Sequence, residues 1–295
     1  MTRPREVLPG RFYMVTRRCT QRMFLLRPDA ACRDTFTYCL ALAAQQSGVV
    51  VMMPVVMSNH HHTIVHDPEG RISEFTGYLH GLVARSMNAT RGRWENFWSA
   101  ESSGLLRLDD REAVMSLMVY AATNPVKDGL VAKVDEWPGV HGLHDLLEGR
   151  AVHVTRPATF FDPKGAMPEE ATLRFEVPQG TMLGEPAAFL AELCTRVAER
   201  EAEIAAARDG APVLGVQAVC DQSPRATPSS WSPRRKQRPT IAASGWSLIE
   251  ALLRNRVFEV RYRIARLRWK AGLAAEFPPG TNWLRRFAHV TVADL

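Results

Sequence analysis

Residues Val49 to Met57 read VVVMMPVVM, and after only Ser58-Asn59 a second run, HHHTIV, begins at His60. Runs this short and this apolar belong to strands buried in a sheet. A two-residue step between them leaves room for a hairpin, or for one long strand kinked at Pro54. The neighbouring sequence supplies the rest of a fold. FYMVTRRC, ending at Cys19, follows a Pro-Gly pair and is rich in aromatic and β-branched residues, so it reads as a strand. Asp29 is placed to cap a helix in which Cys32, Phe36, Cys39, Leu40 and Ala43 recur at helical spacing until Gly48. Arg71 to Asn88 repeats that pattern through Ile72, Phe75, Leu79, Leu82 and Val83, and Arg111 to Ala122 forms a further helix limited by Asn124-Pro125. Strand, helix, two strands, helix and helix make an α+β order, expected as an antiparallel sheet with helices on one face.

Gly149-Arg150 is the expected end of this domain, residues 1–150. An accessory region, 151–220, begins Pro-rich and mixed and continues into an alanine- and glutamate-rich helix from Ala187 to Arg208. Residues 221–245 read as a Pro/Ser-rich linker with a basic cluster, too poor in apolar residues to build a core. Residues 246–295 are expected to be mainly helical. There, Ile249, Leu253, Val257, Val260, Ile264 and Leu267 form an apolar stripe, while Arg254, Arg261 and Arg268, joined by Arg256, Arg263 and Lys270, recur every seven residues on other faces.

The 295-residue chain carries 37 Lys and Arg against 31 Asp and Glu, a formal charge of +6 that favours an anionic partner. The five cysteines, Cys19, Cys32, Cys39, Cys194 and Cys220, include no close pair of the kind that holds zinc or forms a redox couple. They fit a reduced, cytoplasmic setting. No secretory signal is expected from the polar N-terminus, and the longest apolar run is about half the length a membrane helix needs.

In a strand, His60 and His62 share one face about 7 Å apart along the backbone and His61 points away. Two imidazoles so placed can converge on one divalent cation, or the triplet can simply be a solvated strand end. His66 falls on the same face but precedes the turn Asp67-Pro68-Glu69-Gly70, which favours a surface position over ligation. Tyr120 and Asn124, four apart, lie on one helix face. A phenol beside a bound cation can attack a phosphodiester and become a phosphotyrosine, with the Asn124 amide oxygen as a third ligand. Core and helix-stop roles are the plainer alternatives for these two residues. Trp94, Phe97 and Trp98 read as core rather than as a base-stacking platform. Arg111 and Lys127 bracket the tyrosine helix and could meet phosphate, or serve as ordinary solvated charges.

MSNHHHTIV resembles the His-hydrophobic-His motif of the HUH endonucleases, and VYAATNPVKDGLV followed by EWPG resembles the tyrosine segment of single-tyrosine transposases of the REP-associated and insertion-sequence kind. The resemblance spans Gly10 to about Gly149, and its motifs occur in the family's order. His61 replaces the usual aliphatic residue between the ligands, Ser58 replaces a usual proline, and WENFWSAESS is less basic than the family at that point. The resemblance implies a ferredoxin-like fold and a homodimer. It implies His60, His62 and Asn124 around magnesium or manganese, with His61 left as a possible replacement for either histidine, and Tyr120 as nucleophile. It also implies cleavage of single-stranded or hairpin DNA through a 5′-phosphotyrosine, or, on the alternative reading, a catalytically inactive DNA-binding descendant of the same fold. Phosphate contacts are then expected from Arg111, Lys127, Arg254, Arg261 and Arg268.

Overall fold

The computed structural model describes residues 4–100, 104–230, 240–241 and 245–294. Its centre is a sheet built from β1 (Arg11–Arg18), β2 (Val50–Met57), β3 (His60–Asp67) and β4 (Gly104–Leu108) in the order β2-β3-β1-β4, all antiparallel. With α1 (Ala30–Ser47) between β1 and β2 and α2 (Ile72–Thr90) between β3 and β4, this is the βαββαβ order of a ferredoxin-like fold. The short strand β7 (Thr240–Ile241) adds itself parallel to β4.

Local chemistry sets these boundaries. Asp29 Oδ1 accepts the backbone N–H of Cys32 at 2.9 Å, and Gly48 closes α1 in the left-handed region at φ 70°. The two apolar runs form a hairpin rather than one kinked strand, with a register shift between Val51 and Met53. Pro54 is tolerated because β2 lies at the sheet edge. There the chain from Val140 to Gly142 runs beside it, and Gly142 donates its N–H to the Pro54 carbonyl at 2.8 Å.

Side chains alternate along β3, so each face has its own cover. His61 turns toward α1 and α2, meeting Phe36 and His80. The opposite face receives α3 (Arg111–Ala122), which touches β2, β3 and β4. The helical cover is thus wider than expected: α1 and α2 share one face, and α3 occupies the other. The helix breaks at Thr123, one residue before the expected Asn124-Pro125, and those two residues open the single turn α4 (Asn124–Lys127).

After the short helix α5 (Leu143–Leu147), the hairpin of β5 (Ala151–Thr155) and β6 (Glu170–Arg174) packs on α1. Helix α6 (Pro186–Arg208) packs on α3, bound by Arg111–Glu192 and Arg196–Glu112 ion pairs. Beyond α7 (Val216–Asp221), Gln222 to Ser230 runs against the loop between β1 and α1. Phe24 donates its N–H to the Ala226 carbonyl at 3.0 Å, and Arg27 donates to the Gln222 carbonyl at 3.0 Å. The expected linker is therefore docked over this stretch, while its basic cluster, residues 234–238, lies outside the described residues. The 26-residue helix α8 (Gly245–Lys270), β8 (Glu276–Phe277), α9 (Asn282–Ala288) and β9 (Thr291–Val292) complete the chain. All five cysteines are free. Among the described residues no helix is long and apolar enough to cross a membrane.

Candidate active site

The register of β1 against β3 decides which side chains meet. Thr16 stands opposite His62 and Arg18 opposite His60, so all four share the α3 face. The Nε2 atoms of His60 and His62 lie 3.1 Å apart, with ring planes at 88°. His60 donates its Nδ1 proton to Asn59 Oδ1 at 2.7 Å, leaving a lone pair on Nε2. The Thr16 hydroxyl lies 3.1 Å from His62 Nδ1 and can accept from it in the same way. Burial, reinforced by His62 and Arg18, pushes the His60 pKa well below its usual value. Burial, with Lys127 and Arg18, brings His62 down to about 4. Both rings are neutral near pH 7, the protonation state that ligates metals.

The last turn of α3 places Tyr120 beside this pair. Its ring meets the His62 ring edge-on, with centroids 5.6 Å apart, and Lys127 Nζ sits 5.0 Å from the phenol centroid. One turn on, the Asn124 amide reaches to 3.4 Å of His60 Nε2 through Nδ2. A half-turn about its last side-chain bond presents the oxygen instead. Two imidazoles 3.1 Å apart match adjacent ligands on a cation with bonds of about 2.1 Å. Among the described residues no three His, Cys, Asp or Glu side chains converge on one point, and the further side chain that reaches this pair is the Asn124 amide. That donor set fits a divalent cation, and two nitrogens suit manganese better than magnesium.

His60 opens onto a cleft of about 510 Å³ lined in part by Arg18, Arg22, Asn59, Tyr120, Lys127 and Asp128. Three cations against one carboxylate make it a place for an anion. Gln222, Pro228 and Ser230 form part of its wall, and Arg22 donates to the carbonyl and hydroxyl of Ser230. Burial and the Asp128 charge raise the Tyr120 pKa, so the free phenol is protonated; burial raises Asp128 as well.

Other expected residues lie elsewhere. His61 is buried on the far face, with its Nε2 2.9 Å from His80 Nε2 and its Nδ1 2.9 Å from the Thr63 hydroxyl, so it does not share a cation with its two neighbours. His66 is not a surface residue: the strand continues to Asp67, and its ring stacks on Phe12 at 4.6 Å. Phe97 and Trp98 are core, whereas Trp94 is 90% exposed. Glu101 to Ser103 of that segment lie outside the described residues. Arg111 is held by Glu192 and the Leu183 carbonyl, and Arg254 pairs with Asp109. Arg261 and Arg268 lie on α8. Sequence reasoning passed over Arg18, Arg22, Thr16, Asn59 and Asp128. The two on β1 could have been found by pairing that strand against the histidines, whereas Arg22 and Asp128 depend on loop paths.

No protein-family model matches the sequence, and no curated protein matches it. Among solved structures, the chain is similar to a REP-associated tyrosine transposase bound to a REP hairpin, at 19% identity with a TM-score of 0.42, over 49% of this chain and 83% of that one. It is also similar to a chain of Deinococcus radiodurans R1 assigned as a transposase, at 23% identity with a TM-score of 0.29, over 36% of this chain and 85% of that one.

Proposed function

We propose that this chain cleaves and transfers single-stranded or hairpin DNA through a covalent bond between Tyr120 and a 5′-phosphate. The observation that carries this reading is the contact of the phenol ring with His62, one of two neutral imidazoles whose Nε2 atoms are 3.1 Å apart, beside a cleft lined by Arg18, Arg22 and Lys127. His60, His62 and Asn124 would hold a divalent cation, manganese before magnesium, which when bound polarises a phosphodiester and stabilises charge developing on it.

Tyr120 Oη forms the new bond to phosphorus as the bond from phosphorus to the 3′ oxygen breaks, and that oxygen takes a proton from water to leave as a hydroxyl. The phenol must lose its proton on the way, because burial keeps it protonated beforehand. Asp128 is the carboxylate among the described residues lining the cleft, and we assign it as the proton acceptor. Arg18, Arg22 and Lys127 hold the phosphates on either side. Arg111 acts through its ion pair across to α6, keeping the tyrosine helix in place.

The test is covalent. Labelled single-stranded and hairpin DNAs incubated with manganese should yield a protein–DNA adduct resistant to denaturation, which Tyr120→Phe abolishes while DNA binding survives. If wild type binds DNA but forms no adduct with any end supplied, the chain is a non-catalytic DNA-binding protein. If Tyr120→Phe still cleaves, water is the nucleophile and the phosphotyrosine proposal fails.

A further inference from the structure

Helix α8 docks along one narrow face. Ala251, Phe258 and Ala265, seven residues apart, are buried, and Tyr262 meets the Phe277 ring at 5.5 Å. Rotation of about 100° per residue carries Leu253, Val257, Val260, Ile264 and Leu267 roughly 140° round the helix from that face. These five remain between 45% (Val260) and 64% (Leu267) exposed, and Trp246 extends the same line at 85%. A row of large apolar side chains on this scale marks a contact surface.

We propose that this row is the seam of a coiled coil with another protein, and that the partner is an amphipathic helix carrying Asp or Glu beside its own apolar seam. The spacing from Leu253 to Leu267 runs four, three, four, three, which are the alternating core positions of a heptad. Such a 3.5-residue period keeps its seam facing a supercoiled helix; a bilayer accepts a broader face with no such constraint. In this register Arg254, Arg261 and Arg268 fill one flank, and Arg256, Arg263 and Lys270 fill the other.

Those flanks select the partner. In a parallel pair of identical helices one flank faces the other, and in an antiparallel pair each faces itself; either way Arg meets Arg or Lys, which is repulsive. Carboxylates opposite both flanks turn every such contact attractive. The helix supplies few of its own: Glu259 accepts from Asn255 at 3.2 Å, and Glu250 sits at the N-terminal end of the seam. Arg254 already pairs with Asp109, a pairing of the kind its heptad equivalents would find on a partner. Of the arginines on this helix expected from the sequence to meet phosphate, Arg254 meets a carboxylate of its own chain, and Arg268 donates to the Ala274 carbonyl at 2.9 Å.

The test uses the full chain and synthetic helices of about three heptads with Leu in the seam and either Glu or Lys on both flanks. The Glu helix should bind at least tenfold more tightly than the Lys helix. The pair Leu253→Asp and Ile264→Asp, both exposed, should lower that affinity at least tenfold with the unfolding temperature unchanged. Arg256→Glu with Arg263→Glu should weaken the Glu helix and strengthen the Lys helix. Failure to prefer the Glu helix overturns the proposal. So does binding to phosphatidylserine vesicles, or self-association in sedimentation, that the Asp substitutions abolish while the Glu helix is ignored.

Discussion

His141 donates its Nε2 proton to the carbonyl of Ala122, 3.1 Å away, and so ties the strap beside β2 to the last residue of the helix that carries Tyr120. Its Nδ1 faces the Leu143 N–H at 3.4 Å, so the neutral ring satisfies both sides. Burial lowers its pKa from 6.5 to about 4. Because the folded value lies below the unfolded one, this contribution to stability is complete above pH 6.5 and is lost as the pH falls from there toward 4. Between pH 7 and pH 5 the protein should lose about 2 kcal/mol from this group alone. Urea unfolding at the two pH values, compared with His141→Asn, measures it; an equal pH slope in both proteins would show that His141 is not the titrating group.

The two imidazoles of the cleft are aimed by partners on their far sides, Asn59 for His60 and Thr16 for His62. Loss of such an orienting hydrogen bond at a metal site costs about ten- to a hundredfold in affinity. Thr16→Val and Asn59→Ala should therefore weaken manganese binding by that factor, read by calorimetry, with the circular dichroism spectrum preserved. Unchanged affinity in both variants would mean that the cation, if bound, sits elsewhere.

Asp29 carries three loads at once. It caps α1 through Cys32, and its other oxygen accepts from Arg27 at 2.9 Å and from Arg91 at 2.6 Å. Asp29→Ala removes the cap and strips a nearly buried guanidinium of its counter-charge, so a loss of about 2–4 kcal/mol is expected. A loss below about 1 kcal/mol in chemical denaturation would show that Arg91 is satisfied by the carbonyls of Leu25 and Arg27 alone.

Gly142 packs so closely on Pro54 that a Cβ would stand 2.4 Å from the proline ring. Neither side can yield easily, since the Gly142 N–H is bonded to the Pro54 carbonyl at 2.8 Å. Gly142→Ala should cost about 1–3 kcal/mol through this overlap. A variant as stable as wild type in thermal unfolding would show that the strap can lift off β2.

How far the sequence disclosed this arrangement depended on how local each signal was. Asp29 and Gly48 bracket α1 because capping needs only neighbouring residues. The phase of β3 followed from alternation, which separates His61 from His60 and His62 without reference to anything distant. β4 went unread: GLLRL is five residues long, and Arg107 interrupts its apolar character. In the fold that arginine is buried beside Glu6 and Asp109, partners that no local window contains. The packing of α6 onto α3 was hidden for the same reason, since it rests on ion pairs between residues 81 and 84 positions apart. Tyr120 and Asn124 were readable as a pair, but that the end of α3 and the turn after it cover the histidine face and not the other is a consequence of connectivity.

The opposed faces of β3 make strand phase the arbiter of chemistry. His61 is locked among Phe36, His80 and Thr63, while its neighbours turn to the other face, His60 onto the cleft and His62 against the Tyr120 ring. Slipping β3 by a single residue would send one imidazole outward and bury two, leaving an apolar interior of much the same composition around a cleft with half its nitrogen. A misregistered molecule could thus pass as folded and yet be chemically mute, so whatever pins the hairpin in place guards the reaction as well as the stability.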